Sequence, residues 1–182
     1  YESGDGMDAM RKLLAGVIFN FLLFASLPLA AEQVCNELIT PTSADDLFVS
    51  TDKGVATHRT TGLMWARCSL GQEWNGQGCS GGATLFSWAE ALTAATGYQQ
   101  AGFADWRLPN KNELEFIIEE SCAQPAINSR IFPGTPSLFY WTSSPYAGSP
   151  QGAWSVDFGY GTVSATVKSG KLPVRLVRDV VW

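Results

Sequence analysis

The sequence predicts an α+β domain in which two helices pack on a small antiparallel sheet and disulfides staple the ends. Three observations lead there. Strand-like segments come first, two capped helices follow, and alternating apolar segments close the chain. Four cysteines, an even number, all lie beyond an apolar leader. Apolar residues make up 46% and charged residues 16%, with seven Trp and 18 Gly, which supplies a core and suits a loop-rich fold pinned by large rings.

The leader is legible on its own. Arg11 and Lys12 precede an almost wholly apolar run over residues 13–29, and Ala30-Ala31 end it before Glu32 and Gln33. Basic, apolar and small-residue regions in that order form a cleavable secretion signal. Asn20 and Pro28 interrupt the run and weigh against a retained membrane helix. Residues 1–31 are therefore expected to be an N-terminal extension and signal. Residues 32–182 are expected to be one exported domain, periplasmic or secreted, with no stable membrane anchor after cleavage. Export is the setting in which disulfides persist. Cys35, Cys68, Cys79 and Cys122 allow three pairings. Gly71, Gly76 and Gly78 let the 68–79 loop close, which favours Cys68–Cys79 and leaves Cys35–Cys122 to tie an N-terminal arm to the body. Glu32-Gln33-Val34 lacks the small apolar residues that would make Cys35 a lipidation site.

The elements follow in order. Residues 32–50 read as an irregular arm with Pro41 and the Asp45-Asp46 pair. Residues 55–67 read as a hairpin turning at Thr61-Gly62, with Leu63, Met64 and Trp65 in the core. Ser87 and Glu90 form a capping box, Trp88, Ala91, Leu92 and Ala95 follow at helical spacing, and Gly97 stops the helix. Asn110 caps a second helix with Leu114, Ile117, Ile118 and Ser121 inside and Glu115, Glu119 and Glu120 outside, ending at Cys122. Strands are expected over 139–143, 153–158 and 163–167, with a turn at Gly159-Tyr160-Gly161, and a last one over 172–181.

Several blocks together resemble a known family. They are Thr61-Gly62-Leu63-Met64-Trp65, Cys68-Ser69-Leu70-Gly71-Gln72, Trp74 and Cys79, Asp105-Trp106-Arg107-Leu108-Pro109-Asn110 with Glu113-Leu114, and Ser121-Cys122. Pro125-Ala126-Ile127-Asn128, Phe132-Pro133, Tyr140-Trp141-Thr142-Ser143-Ser144, Trp154-Ser155-Val156-Asp157-Phe158 and Val174-Arg175-Leu176-Val177-Arg178 complete the set. Over about residues 45–179 the chain resembles the Lcl C-terminal domain family of bacterial exported proteins. The resemblance implies a C-type-lectin-like fold whose termini come together, and a surface role. The namesake domain tops a collagen-like adhesin and binds sulfated glycans; this chain carries no Gly-X-Y repeat.

Asp105, Trp106, Arg107 and Pro109 are expected to be structural: a buried ring, an Arg–Asp pair and a proline leading into a helix. Trp65, Trp141, Trp154 and Phe158 are assigned to the core. Tyr140, Tyr146 and Tyr160 are the candidates for exposed stacking rings, the last two because they sit in Gly/Pro/Ser-rich loops. Asp157 and Ser155 alternate with Trp154 and Phe158, so they are expected to face outward. Tyr146, Asp157 and Tyr160 are thus expected to form one ligand face. No cofactor is expected. Asp45, Asp46 and Asp52 lack calcium-loop spacing, and a zinc site finds no Cys-x-x-Cys and one histidine, His58. A net charge of −5 without a basic run excludes nucleic acid as a partner and disfavours polyanions.

The leading expectation is a non-catalytic binding module for a glycan or a surface protein. A structural accessory domain of an envelope assembly is the second reading. An enzyme resembling the formylglycine-generating oxidases is the third; it needs a reactive cysteine pair, and all four cysteines read as structural.

Overall fold

The computed structural model describes residues 33–180. The secretion signal expected over 1–31 lies outside them, as does the last residue of the expected final strand. The N-terminal arm contributes β1 (Val34–Cys35), a 3-10 turn (Asp45–Leu47) and β2 (Phe48–Ser50). The hairpin β3 (Val55–His58) and β4 (Leu63–Ala66) follows, then the small pair β5 (Glu73–Trp74) and β6 (Cys79–Ser80). Two helices come next, α1 (Trp88–Thr96) and α2 (Lys111–Glu115), and then β7 (Cys122–Ala123). The chain closes with β8 (Phe139–Pro145), β9 (Gly152–Asp157), β10 (Thr162–Val167) and β11 (Val177–Asp179). The result is a set of small antiparallel sheets with two short helices and two disulfides, an α+β arrangement.

A four-stranded sheet ordered β11-β4-β3-β2 sits at the centre, so the first and last long segments join one sheet. Its alternation splits the core in two. Ala56, Trp65 and Val177 lie opposite one another across the strands and face one apolar cluster, with Leu114, Ile117, Ile127, Phe132 and Phe158. Val55 and Ala66, one residue on, face the other cluster, with Ala91, Ala95, Trp106, Trp141 and Leu176. The three-stranded sheet β10-β9-β8 does the same: Tyr140 and Val156 point to the first cluster, Trp141 and Ala153 to the second. Fully buried side chains such as Phe132, Phe158 and Leu114 contribute about 2 kcal/mol each.

Burial on both sheet faces overturns several expectations. Tyr140 is fully buried, and its hydroxyl bonds Ser69 Oγ at 2.7 Å. Ser155 is buried too, linked to Ser164 O and Thr166 Oγ1. Leu63 and Met64, the first residues of β4, are partly buried and pack against the first and the second cluster respectively. Leu172 makes a single bridge to Phe86, and only Val177–Asp179 pairs as a strand, because Pro173 and the Arg175 side chain occupy the segment between.

α1 matches its signals: Glu90 accepts from the Ser87 N–H at 2.7 Å, and Gly97 follows the helix. α2 is much shorter than expected. Asn110 and Glu113 form a reciprocal capping box, but after Glu115 the chain winds into tighter turns, Ile117 N bonding Leu114 O and Ile118 N bonding Glu115 O. Ile118 then bridges Ile127, and Cys122 belongs to β7, where it faces Cys35 of β1. Glu119 is not on a wet face: it is 4% exposed. Its carboxylate accepts from Thr42 N, Ser43 N, Ser121 N and Ser121 Oγ at 2.7–3.1 Å. Burial raises its pKa, and these four hydrogen bonds outweigh that and hold it below the ordinary value.

Both disulfides close, Cys35–Cys122 and Cys68–Cys79. The first fastens the arm beside the Glu119 clamp. The second closes the loop that carries β5 and β6. Arg175 is the other long-range tie. It is fully buried, with its Nη1 donating to Ala66 O and Arg67 O and its Nη2 to Thr135 Oγ1. Carbonyls and a hydroxyl take its two Nη groups in place of a carboxylate while its buried Nε has no partner, its guanidinium lies 4.8 Å from the Phe132 ring, and burial pushes its pKa down to about 10. No helix among the described residues is long and apolar enough to cross a membrane.

Candidate functional site

The expected ligand face does not assemble. Tyr146 follows β8 and lies against Gly152, the first residue of β9, whereas Asp157 ends β9 and Tyr160 lies beyond it. Six residues of extended strand span about 17 Å, so Tyr146 and Tyr160 occupy opposite ends of the sheet. Asp157 is 8% exposed and spends an oxygen on its own turn, accepting from Gly159 N at 2.7 Å. Its side chain shapes the β9–β10 turn and is almost wholly buried. Tyr160 is 65% exposed, as the loop reading required, and its hydroxyl accepts from Gln124 Nε2.

What the structure does assemble is a corner at the other end of β9. Trp154, assigned to the core from sequence, is only partly buried, and the Tyr146 ring meets it edge-on with centroids 5.0 Å apart. The Tyr146 ring is tightly seated. A Cβ on Gly148 would fall 2.5 Å from its Cζ and Oη, and one on Gly152 would fall 3.2 Å from its Cδ1. Two glycines therefore make the slot that fixes this ring. Ala165 of β10 is the cross-strand neighbour of Trp154 and is exposed, so the sheet face beside the tryptophan is open. Polar groups frame it. Lys111 Nζ stands 5.8 Å from the Trp154 ring centre and donates to Glu115 Oε2 at 2.7 Å, and Ser144 Oγ accepts from Lys111 N. An amphipathic ring held at a rigid corner, with a donor and an acceptor beside it, can take the apolar face of a sugar and bond its hydroxyls. Missing from the sequence reading was the register irregularity in β8 between Trp141 and Pro145, which ends tight packing on this part of β9.

The lysines of the last strands have partners elsewhere. Lys168 Nζ donates to Pro150 O and lies 4.4 Å from the Trp88 ring centre, and Lys171 pairs with Glu90.

The Asp105–Pro109 segment packs as a structural knot. Trp106 is 3% exposed against α1. Arg107 does not pair with Asp105: its guanidinium spans Glu113 at 2.8 Å and Asp179 at 3.0 Å, joining the α2 cap to β11. Asp105 pairs with Arg178 at 2.7 Å, which holds its carboxyl below the usual range; Arg107 does the same for Asp179. His58 is buried between the Phe48 and Phe116 rings, accepts from Thr61 N on Nδ1, and has its pKa lowered by burial. Among the described residues no group of three His, Cys, Asp or Glu side chains could hold a metal ion, and no cysteine is free.

The blocks that build these two cores and the knot are those of one family. A model of the Lcl C-terminal domain matches residues 54–178. The chain belongs to the Lcl C-terminal domain family. No curated protein matches it. The Lcl C-terminal domain extent starts at Gly54, so β1, the Glu119-clamped segment of the arm and β2 lie ahead of it. Cys35–Cys122 thus fastens residues outside the family extent to a strand inside it. The Trp154 corner, the Asp105–Pro109 knot and buried Arg175 all fall within it.

Proposed function

We propose that the protein is an exported, non-catalytic binding module of C-type-lectin-like fold that recognises a neutral glycan through the Tyr146–Trp154 corner. The seated pair of partly exposed rings is the observation that carries the reading. A ring already fixed by Gly148 and Gly152 loses little freedom on binding. The engaged lysines favour a neutral sugar over a sulfated one. Two disulfides suit the periplasm or the cell exterior. The pairing of all four cysteines, one bridge tying the arm to the body and one closing a short loop, suits a structural role for them. The C-type-lectin-like assignment is supported by two helices beside antiparallel sheets, with β2 and β11 in one sheet.

A glycan array carrying neutral and sulfated sugars tests this. Binding to neutral glycans is expected, and Tyr146→Ala should weaken it about tenfold, the loss of one anchoring side chain. Gly148→Ala should weaken it as much by displacing the ring from its slot while leaving the core untouched. Unchanged affinity in both folded variants, or binding to sulfated glycans alone, would overturn the site.

A further inference from the structure

β10 is an open edge. It pairs with β9 over six residues in unbroken register, and no strand lies on its other side among the described residues. Its sequence, Thr162-Val163-Ser164-Ala165-Thr166-Val167, has no charge, proline or glycine. Edges this long and flat are ordinarily blunted by a lysine, a proline or a bulge, because their free backbone groups invite another strand. Here the nearest charge, Lys168, is turned back onto Pro150 O and the Trp88 ring.

The backbone says which groups are free. Lys168 N donates to Gln151 O, and Ser155 Oγ donates to Ser164 O, so the even-numbered residues of β10 address β9. Antiparallel alternation then turns the N–H and C=O groups of Val163, Ala165 and Val167 to the open side, where Val167 O already accepts from Gly170 N at 2.8 Å and keeps one lone pair free.

We infer that this edge is a self-association surface: β10 pairs antiparallel with β10 of a second copy of the chain, about a two-fold axis at Ala165. The strand is complementary to itself in that register. Ala165 meets its own copy, Val163 meets Val167, and Ser164 meets Thr166, so apolar side chains oppose apolar ones and hydroxyls oppose hydroxyls, with no like charges facing. An axis between Ser164 and Ala165 would set outward-facing backbone groups against inward-facing ones and makes no ladder. Pairing joins the two three-stranded sheets into one of six strands. Trp154, the cross-strand neighbour of Ala165, then stands on the same face as its copy, three strand spacings or about 14 Å away. The pairing does not depend on what the Trp154 corner binds. A seam of one strand pair buries less than a standard interface, so the dimer is concentration-dependent.

Sedimentation equilibrium of the disulfide-bonded chain should show a monomer–dimer equilibrium. Ala165→Pro removes an outward N–H that β9 does not use and should weaken association roughly tenfold or more. Ala165→Lys sets two ammonium groups across the axis and should abolish it. If a variant fails to fold, amide exchange of the wild type decides: Val163 and Ala165 should exchange more slowly as protein concentration rises. A monomer up to millimolar concentration, an assembly other than a dimer, wild-type association in both folded variants, or concentration-independent exchange at Val163 and Ala165 would each overturn the inference.

Discussion

Replacing Glu119 by Gln changes one oxygen to an NH2 group at a site where all four hydrogen-bond partners donate. The best rotamer keeps oxygen at Oε1, where Thr42 N, Ser121 N and Ser121 Oγ converge, and puts the NH2 group against Ser43 N. One hydrogen bond to a charged acceptor is lost, about 1.5–3 kcal/mol, and a buried N–H is orphaned, about 1–3 kcal/mol. The expected loss is roughly 3–5 kcal/mol, a large part of the 5–15 kcal/mol typical of a domain. Denaturant melts of wild type and Glu119→Gln measure it, and amide exchange at Thr42 and Ser43 should show the arm loosening first while Cys35–Cys122 keeps it attached. The pH dependence is a second readout. Because the folded carboxyl titrates below its ordinary value of 4.5, its contribution is complete above that value and fades as pH falls through the lower folded one. The Gln variant should lack that part of the acid destabilisation. A stability change under about 1 kcal/mol with an unaltered acid limb would refute the clamp.

Other outcomes follow from the same geometry. Non-reducing peptide maps should recover Cys35–Cys122 and Cys68–Cys79; a Cys35–Cys68 or Cys79–Cys122 peptide would contradict the fold. Opening the first, whose cysteines are 87 residues apart, should cost about 4–5 kcal/mol in the chain-entropy model, against about 3 for the second, 11 apart. Trp106→Ala should cost about 3–5 kcal/mol of buried contact, and Arg107→Ala less, because its ion pairs are partly exposed. Unshifted melting midpoints with lost ligand binding would make that segment a binding motif instead. Tyr160→Ala should change stability by no more than about 0.5 kcal/mol and leave glycan binding intact; lost binding would move the site to the β9–β10 turn.

Local signals were read from sequence where one short stretch decides the outcome. The Ser87/Glu90 and Asn110/Glu113 boxes start helices where expected, and the 55–67 hairpin turns at Thr61-Gly62. Errors arose where a distant partner overrides local periodicity. Residues 116–121 have helical spacing, yet Ile118 is claimed by Ile127 and Cys122 by Cys35. Asp157 and Ser155 alternate correctly with their neighbours, but alternation predicts solvent only when one sheet face is bare, and here both are covered. Trp154 failed the opposite way: its composition says core, while the β8 irregularity leaves it half exposed. Glu119 carried no signal at all, since its partners Thr42 and Ser43 lie 77 and 76 residues away.

The position of Cys35–Cys122 governs how the domain bears tension. A pull between the two ends enters at Cys35 and crosses the sulfur bridge straight to Cys122, so residues 36–121 form a closed ring that cannot be drawn out. That ring contains β2, β3, β4 and both helices. Load falls instead on the stretch from β7 to β11, whose end is held to the ring by three antiparallel residue pairs with β4, by the backbone bridge between Arg107 and Val177, and by the Arg107–Asp179 and Asp105–Arg178 pairs. Under force the expected first event is release of β11 from that ring, which would expose the buried Val177, the strand partner of Trp65. Reducing the bridge would remove this limit and let the arm unravel first.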